Sequence, residues 1–309
     1  MDAEQLLRGV LAGDLRALAR AASFIEAQTD IGRAVIRGLF ARTGRAKTVG
    51  ITGPPGAGKS TLVDRLTKLL RAQDKSVGIV AVDPSSPFTR GSILGDRVRM
   101  QDHHADPGVF IRSMAARGRL GGLAQETLEM ALLLDGAGRD WVLIETVGVG
   151  QHEVEVSRLA DVTLVVLMPG MGDDIQAIKA GIMEIADLFV INKSDLPGAA
   201  RLEGEIRAMQ SLAENAARSQ ATPVRRVSAE SGDGLPELLA LTERVWSEKD
   251  LLAARRDRWR YRLQEMMQAK LLAAISEGAV NAHADRVAEK KEDPYTAVDQ
   301  MLIEMMKTE

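Results

Sequence analysis

A short apolar run at residues 49–52 leads directly into Gly53-Pro54-Pro55-Gly56-Ala57-Gly58-Lys59-Ser60, and a helical pattern opens at Thr61-Leu62-Val63. Glycines at these positions let the backbone curl so that successive N–H groups converge on one point. The helix that follows adds the positive end of its dipole to the same point. Strand, glycine-rich curl and helix, with Lys and Ser closing the curl, form a cradle for nucleoside triphosphate phosphates. On this reading Gly53, Pro54, Pro55, Gly56, Ala57, Gly58, Lys59, Ser60 and Thr61 contact the nucleotide. Lys59 reaches the β and γ phosphates, and the Ser60 hydroxyl ligates magnesium. The alternative is a glycine turn without function, and the complete spacing in its strand–loop–helix setting argues against it.

The rest of the chain suits that cradle. Apolar runs at 49–52, 77–83, 109–114, 141–145, 162–168, 188–192 and 224–228 alternate with stretches long enough for crossover helices. This is the pattern of an α/β fold with a mainly parallel central sheet flanked by helices. In such sheets ligands bind beyond the carboxyl ends of the strands, and each motif below follows the end of an apolar run. Residues 1–46 read as a helical extension, with Gly13-Asp14 breaking and recapping the chain and Thr29-Asp30 capping a third helix. Residues 47–246 form the nucleotide domain. Residues 247–309 are charged, Met-rich and helical in pattern, interrupted by Pro294. Their stripes, Met266, Met267, Leu271, Leu272 and Ile275, then Val298, Met301, Leu302 and Met305, either pack on the parent domain or form a dimerisation arm.

Composition removes several function classes. The chain has no cysteine, which excludes disulfides, thiolate metal sites and Cys nucleophiles and suits a cytoplasmic location. A net charge of −3 with both signs mixed gives no electrostatic footprint for nucleic acid. The first residues carry acids where a secretory leader needs basic ones, and no apolar run approaches the roughly 18 residues of a membrane span. Neither export nor a membrane is expected.

Asn192-Lys193-Ser194-Asp195 ends an apolar run with N-K-x-D. A carboxylate at Asp195 accepts from guanine N1–H and the 2-amino group, a donor pair that adenine lacks. Asn192 braces the loop and the Lys193 stem covers the base. Ser228-Ala229-Glu230 follows another strand and resembles the segment whose backbone N–H meets guanine O6 in GTPases. Glu145-Thr146-Val147-Gly148 ends a buried strand where Ras-like proteins read D-x-x-G. There the acid holds magnesium and the glycine N–H meets the γ phosphate. Glu145 in place of Asp, and Val149 in place of the water-orienting Gln, set this chain apart; Gln151 is not assumed equivalent. Slow intrinsic hydrolysis is expected, with a partner or a rearrangement supplying what is missing. Asp83, at a strand end, is a candidate magnesium ligand. Asp96 either joins the metal and water site when its loop closes or simply begins a helix. Arg90, Arg97 and Arg99 are candidates for neutralising transition-state charge or for plain surface roles. The adjacent His103-His104 pair is read as solvated rather than metal-binding.

The phosphate loop, D-P-S-S from Asp83, G-S-I-L-G-D-R-x-R-M around Asp96, E-T-V-G-V-G-Q from Glu145 and N-K-S-D occur in this order. Together they resemble the MeaB/ArgK family of P-loop GTPases over nearly the whole chain. The resemblance implies GTP and GDP with Mg2+ as ligands and catalytic roles around Lys59, Asp96, Glu145 and Gly148. It also implies a homodimer through the C-terminal arm and a role as G-protein chaperone of an adenosylcobalamin-dependent acyl-CoA mutase. It further marks Asp173, Asp174, Gln176 and Lys179, in the Gly-rich segment that begins at Met168, as a nucleotide-sensing switch. Two other functions stay in view: a metallochaperone GTPase delivering nickel or another metal, and a kinase of a transport protein. The missing cysteines disfavour the first, and the lack of an acceptor motif disfavours the second. Which acyl-CoA mutase is served is not written in the sequence.

Overall fold

Seven parallel strands form one sheet in the order β3-β2-β4-β1-β5-β6-β7. The computed structural model describes residues 2–83, 101–103, 105–115, 122–146, 156–170, 182–214 and 221–307. The strands are β1 (Lys47–Thr52), β2 (Val77–Asp83), β3 (Val109–Ala115), β4 (Trp141–Thr146), β5 (Val162–Leu167), β6 (Leu188–Ile191) and β7 (Val224–Arg226). Each coincides with one of the seven apolar runs. Before the sheet come α1 (Ala3–Leu11), α2 (Leu15–Glu26) and α3 (Asp30–Leu39); α4 (Lys59–Ala72), α5 (Gly122–Gly136), the short α6 (Ile182–Ile185), α7 (Ala199–Glu214) and α8 (Leu235–Glu248) connect or follow the strands. The chain ends in α9 (Leu251–Ala274), α10 (Glu277–Ala288) and α11 (Pro294–Lys307). It divides into two compact units, Met1–Leu251 and Leu252–Glu309.

Both faces of the sheet are covered, which is why its central strands are apolar without alternation. In β5 and β6, Leu164, Val166, Leu188 and Val190 join Leu62, Val63, Leu66, Leu70, Leu238 and Leu239 of α4 and α8 in one core. The alternate residues Val165, Leu167, Phe189 and Ile191 meet Leu202 and Ile206 of α7 on the opposite face. Period-two alternation within wholly apolar strands thus feeds two cores at once.

The N-terminal helices begin where small polar residues stop the chain. Asp14 caps α2 by accepting from the Arg16 N–H, and Thr29 caps α3 by accepting from the Gly32 N–H. Leu18, Ala22, Val35 and Leu39 are buried, whereas Leu11 and Leu15 at the stripe edges stay exposed. The extension is tied to the sheet by Asp135 near the end of α5. Its carboxylate accepts from the backbone N–H groups of Gly44, Arg45 and Ala46, the three residues that lead into β1. In the second unit Pro294 opens a helix instead of interrupting one. Asp293 accepts from the Tyr295 and Thr296 N–H groups, and Pro has no N–H to lose at a helix's first position.

The reading of His103 is corrected as well. His103 is buried, and its Nε2 lies 3.0 Å from Oδ1 of Asp64 on α4. Lys68, one turn further along α4, pairs with both Asp64 and Asp102. His103 is therefore a satisfied structural histidine, placed by tertiary packing that residue spacing does not encode. His104 lies outside the described residues.

The last turn of α4 is pinned by Arg71, whose Nε and Nη2 donate to the two oxygens of Asp106 at 2.7 and 3.0 Å. The Arg71 guanidinium, and after it the Gly108 N–H, hold the Asp106 carboxyl below the usual carboxylate range. Because the folded-state value is depressed, this stabilisation is complete above the unfolded value of about 3.9 and is lost as pH falls through the folded value. An Asp106→Asn chain is expected to lose about 1 kcal/mol at pH 7, since the pair is roughly a quarter exposed. That deficit should shrink steadily as the pH is lowered to 2. Urea unfolding of both chains at the two pH values measures this, and an equal deficit at both would rule out the ion pair as its source.

Candidate functional site

The phosphate loop, Glu145 with Thr146, Asn192–Asp195 and Ser228–Glu230 lie at the carboxyl ends of β1, β4, β6 and β7. Strand β1 pairs with β4 on one side and β5 on the other, with Ile51 opposite both Glu145 and Leu164. The phosphate loop leaves β1 through Gly53, whose φ of 139° and close approach to β5 both demand glycine: a Cβ there would lie 2.1 Å from the Val166 carbonyl oxygen. Gly58 precedes α4 with φ of 85° and offers its first turn no side-chain acceptor. The first-turn N–H groups are thereby left for an anion rather than a capping residue. A Cβ on Gly58 would also lie 2.3 Å from Asn192 Nδ2.

Lys59 is buried and donates from Nζ to the Gly53 and Pro54 carbonyl oxygens at 2.7 and 2.9 Å. Its ammonium is held inside the curl of the loop, where phosphate oxygens would compete for it. Ser60 donates from Oγ to Glu145 Oε1 at 2.5 Å. Glu145 is buried near the end of β4, and beside it the Thr146 hydroxyl donates to Thr52 at 3.1 Å. The hydroxyl and carboxylate named as metal ligands therefore already touch. Such a hard oxygen pair suits magnesium. Asp83 is the last residue of β2, whose Ala81 and Val82 pair with Glu145 and Thr146.

The base-side loops are joined to the phosphate loop by one side chain. Asn192, buried at the end of β6, donates from Nδ2 to the Ala57 carbonyl at 2.8 Å and accepts at Oδ1 from the Ala229 N–H at 3.0 Å. The Ser194 N–H donates to the Val227 carbonyl, which closes the two loops on each other. Lys193 takes a positive φ of 54° between them, and Asp195 is exposed beyond it. Ser228 and Ala229 are buried; Glu230 is exposed, and its carbonyl accepts from Arg65 of α4 at 2.9 Å. Sequence reasoning placed Asn192 as a brace but missed Arg65, because 165 residues separate the two ends of that bond.

Asp96, Gly148, Asp173, Asp174, Gln176 and Lys179 lie outside the described residues, as do Arg90, Arg97, Arg99, Val149 and Gln151. Among the described residues, no group of three or more His, Cys, Asp or Glu side chains could hold a metal ion. No helix among them is long and apolar enough to cross a membrane.

A wholly parallel sheet with a G-x-x-x-x-G-K-S loop at its centre and N-K-x-D two strands away defines a P-loop GTPase. The chain belongs to the MeaB family: residues 18–282 match the family of methylmalonyl-CoA mutase-associated GTPases. It binds guanine nucleotide and hydrolyses GTP. A relative in Pyrococcus abyssi, provisionally described as a GTPase, is 42% identical over 98% of this chain and 97% of its own length. The mouse protein named methylmalonic aciduria type A homolog, mitochondrial, is 37% identical over 76% of this chain and 61% of its own length. Among solved structures, that of a LAO/AO transport system kinase superposes with a TM-score of 0.72 at 26% identity, covering 99% of this chain and 97% of that one.

Proposed function

We propose that this GTPase is a G-protein chaperone of an adenosylcobalamin-dependent acyl-CoA mutase, methylmalonyl-CoA mutase or a related enzyme, gating cofactor loading and protecting or reactivating the mutase. The observation that carries the reading is the match of residues 18–282 to a family described by its association with that mutase. The mouse relative, named for methylmalonic aciduria, points the same way. The second unit supports a homodimer, because Leu263, Met266, Met267, Leu271 and Leu272 of α9 and Val298, Leu302 and Ile303 of α11 are exposed. Apolar surface of this extent favours burial against a partner.

In the proposed site Asp195 accepts from the guanine N1–H and 2-amino group, while Asn192 holds the base loops to the phosphate loop. Lys59 and the first-turn N–H groups of α4 draw negative charge off the phosphates as the bond to the leaving diphosphate breaks. Ser60, Glu145, Asp83 and Asp96 would hold Mg2+, which offsets charge on the β and γ phosphates when bound. Gly148 would meet the γ phosphate, and the segment with Asp173, Asp174, Gln176 and Lys179 would report nucleotide state to the mutase. With Val149 following Gly148, the isolated protein is expected to hydrolyse GTP no faster than about 10⁻² s⁻¹.

The test is GTP turnover with and without purified acyl-CoA mutase. A rise of at least about tenfold on adding mutase, together with a complex on gel filtration, is expected. An unchanged rate with no complex would remove the mutase reading while leaving the GTPase intact. Label appearing on an added transport protein instead of in free phosphate would favour a kinase.

A further inference from the structure

Arg65 of α4 donates from Nη2 to the Glu230 carbonyl at 2.9 Å, joining the phosphate-loop helix to the loop that follows β7. That loop is otherwise closed mainly on itself. The Ser228 N–H donates to the Asp233 carbonyl, and the Gly232 N–H returns to the Ser228 carbonyl. From the β6 side it is anchored at Val227, whose N–H donates to the Ile191 carbonyl and whose carbonyl accepts from the Ser194 N–H, and at Ala229, whose N–H donates to Asn192 Oδ1. All of these anchors come from the β6 side and end at Ala229; a contact from a different element fixes the loop at Glu230 beyond them. Arg65 supplies it from α4, the same helix whose first turn carries Lys59 and Ser60.

We propose that Arg65 is a positioning residue for guanine recognition: by clamping the Glu230 carbonyl to the phosphate-loop helix, it sets the Glu230 backbone N–H, next to Ser228 and Ala229 whose N–H groups are already bonded within the protein, to read the O6 edge of the base. The clamp touches neither phosphate nor metal. Its effect falls on discrimination at O6 and not on discrimination at the 2-amino group, which belongs to Asp195. The geometry allows this separation because Asp195 sits on the β6 loop, held by the Ser194 N–H to the Val227 carbonyl, a bond Arg65 does not share.

The inference rests on the guanine reading of the site, and its test keeps the two apart. Dissociation constants are measured by calorimetry with magnesium for GDP, for inosine diphosphate, which lacks the 2-amino group, and for 6-thioguanosine diphosphate, which keeps N1–H and the 2-amino group but carries a weakly accepting sulfur in place of O6. The parent protein is expected to prefer GDP over both analogues. In Arg65→Leu the preference for GDP over the 6-thio nucleotide should shrink by up to about tenfold, the scale of one hydrogen bond, while the GDP-to-inosine ratio stays at the parent value. Arg65→Lys, which still donates to a carbonyl, should recover most of the lost ratio. If Arg65→Leu fails to fold by thermal melting, Arg65→Gln and Arg65→Lys carry the same comparison. A parent protein that does not discriminate at O6 overturns the reading of the Ser228–Glu230 loop itself. A parent that discriminates while Arg65→Leu keeps both ratios overturns the positioning role, and so does an equal loss of affinity for all three nucleotides.

Discussion

Replacing Lys59 by Ala should lower kcat for GTP hydrolysis by about a hundredfold to a thousandfold, the scale seen when one preorganised electrostatic contact to developing charge is removed. The argument is local. The Lys59 ammonium is buried and held by the Gly53 and Pro54 carbonyls, so its position is fixed before nucleotide arrives and little reorganisation is needed when charge develops. Truncation leaves those carbonyls facing a small void at the centre of the loop. Affinity for GTP should therefore fall as well, and by more than affinity for GDP, which lacks the γ phosphate. Phosphate release under saturating GTP measures the first effect and calorimetry the second. The assay must be run with any stimulating partner as well as alone, because a slow basal rate compresses the range. A variant that keeps parental turnover under both conditions would show that the charge is supplied from elsewhere.

The second large effect is a change of base. In the proposed site Asp195→Asn would remove the acceptor pair for guanine N1–H and the 2-amino group and present an amide N–H instead. GDP affinity should fall about a hundredfold to a thousandfold, two hydrogen bonds to a charged group being lost. Xanthosine diphosphate, with an oxygen where guanine has its amino group, should gain on GDP by a similar factor. Asp195 is exposed, so the substitution removes no buried contact and the fold should hold. Neighbouring Asn192 is different. It is buried between Ala57 and Ala229, and its loss would disturb both loops at once, so it cannot give a clean change of base. Equal weakening for GDP and xanthosine diphosphate would place the base away from Asp195.

Much of this site was readable because its determinants are short-range. Gly53 through Ser60 work through consecutive backbone torsions and N–H groups, which eight adjacent residues specify almost completely. Asn192 was legible as a brace because N-K-x-D is contiguous and ends a strand, and the proposed role of Asp195 is read from the same motif. His103 was misread for the complementary reason. Two adjacent histidines with no apolar periodicity look like a solvated turn, and only the approach of α4 buries one of them against Asp64. Asp135 was not singled out at all. Three backbone N–H groups some 90 residues away give its carboxylate its role, and backbone donors leave no signature in side-chain sequence.

The sequence alone carried seven strands alternating with helices, a phosphate-binding pattern at the end of the first, and a guanine-selecting motif after the sixth. Each depends on patterns within a few residues: alternation, glycine torsions, or a carboxylate at a strand end. Tertiary structure decided the order β3-β2-β4-β1-β5-β6-β7, which sets β4 and its Glu145 beside the phosphate-loop strand and brings that carboxylate within 2.5 Å of Ser60. It also decided that Arg65 would reach the loop after β7. Strand order and cross-helix contacts depend on which edges and faces meet once the chain has collapsed, and apolar strands of similar composition do not name their neighbours in advance.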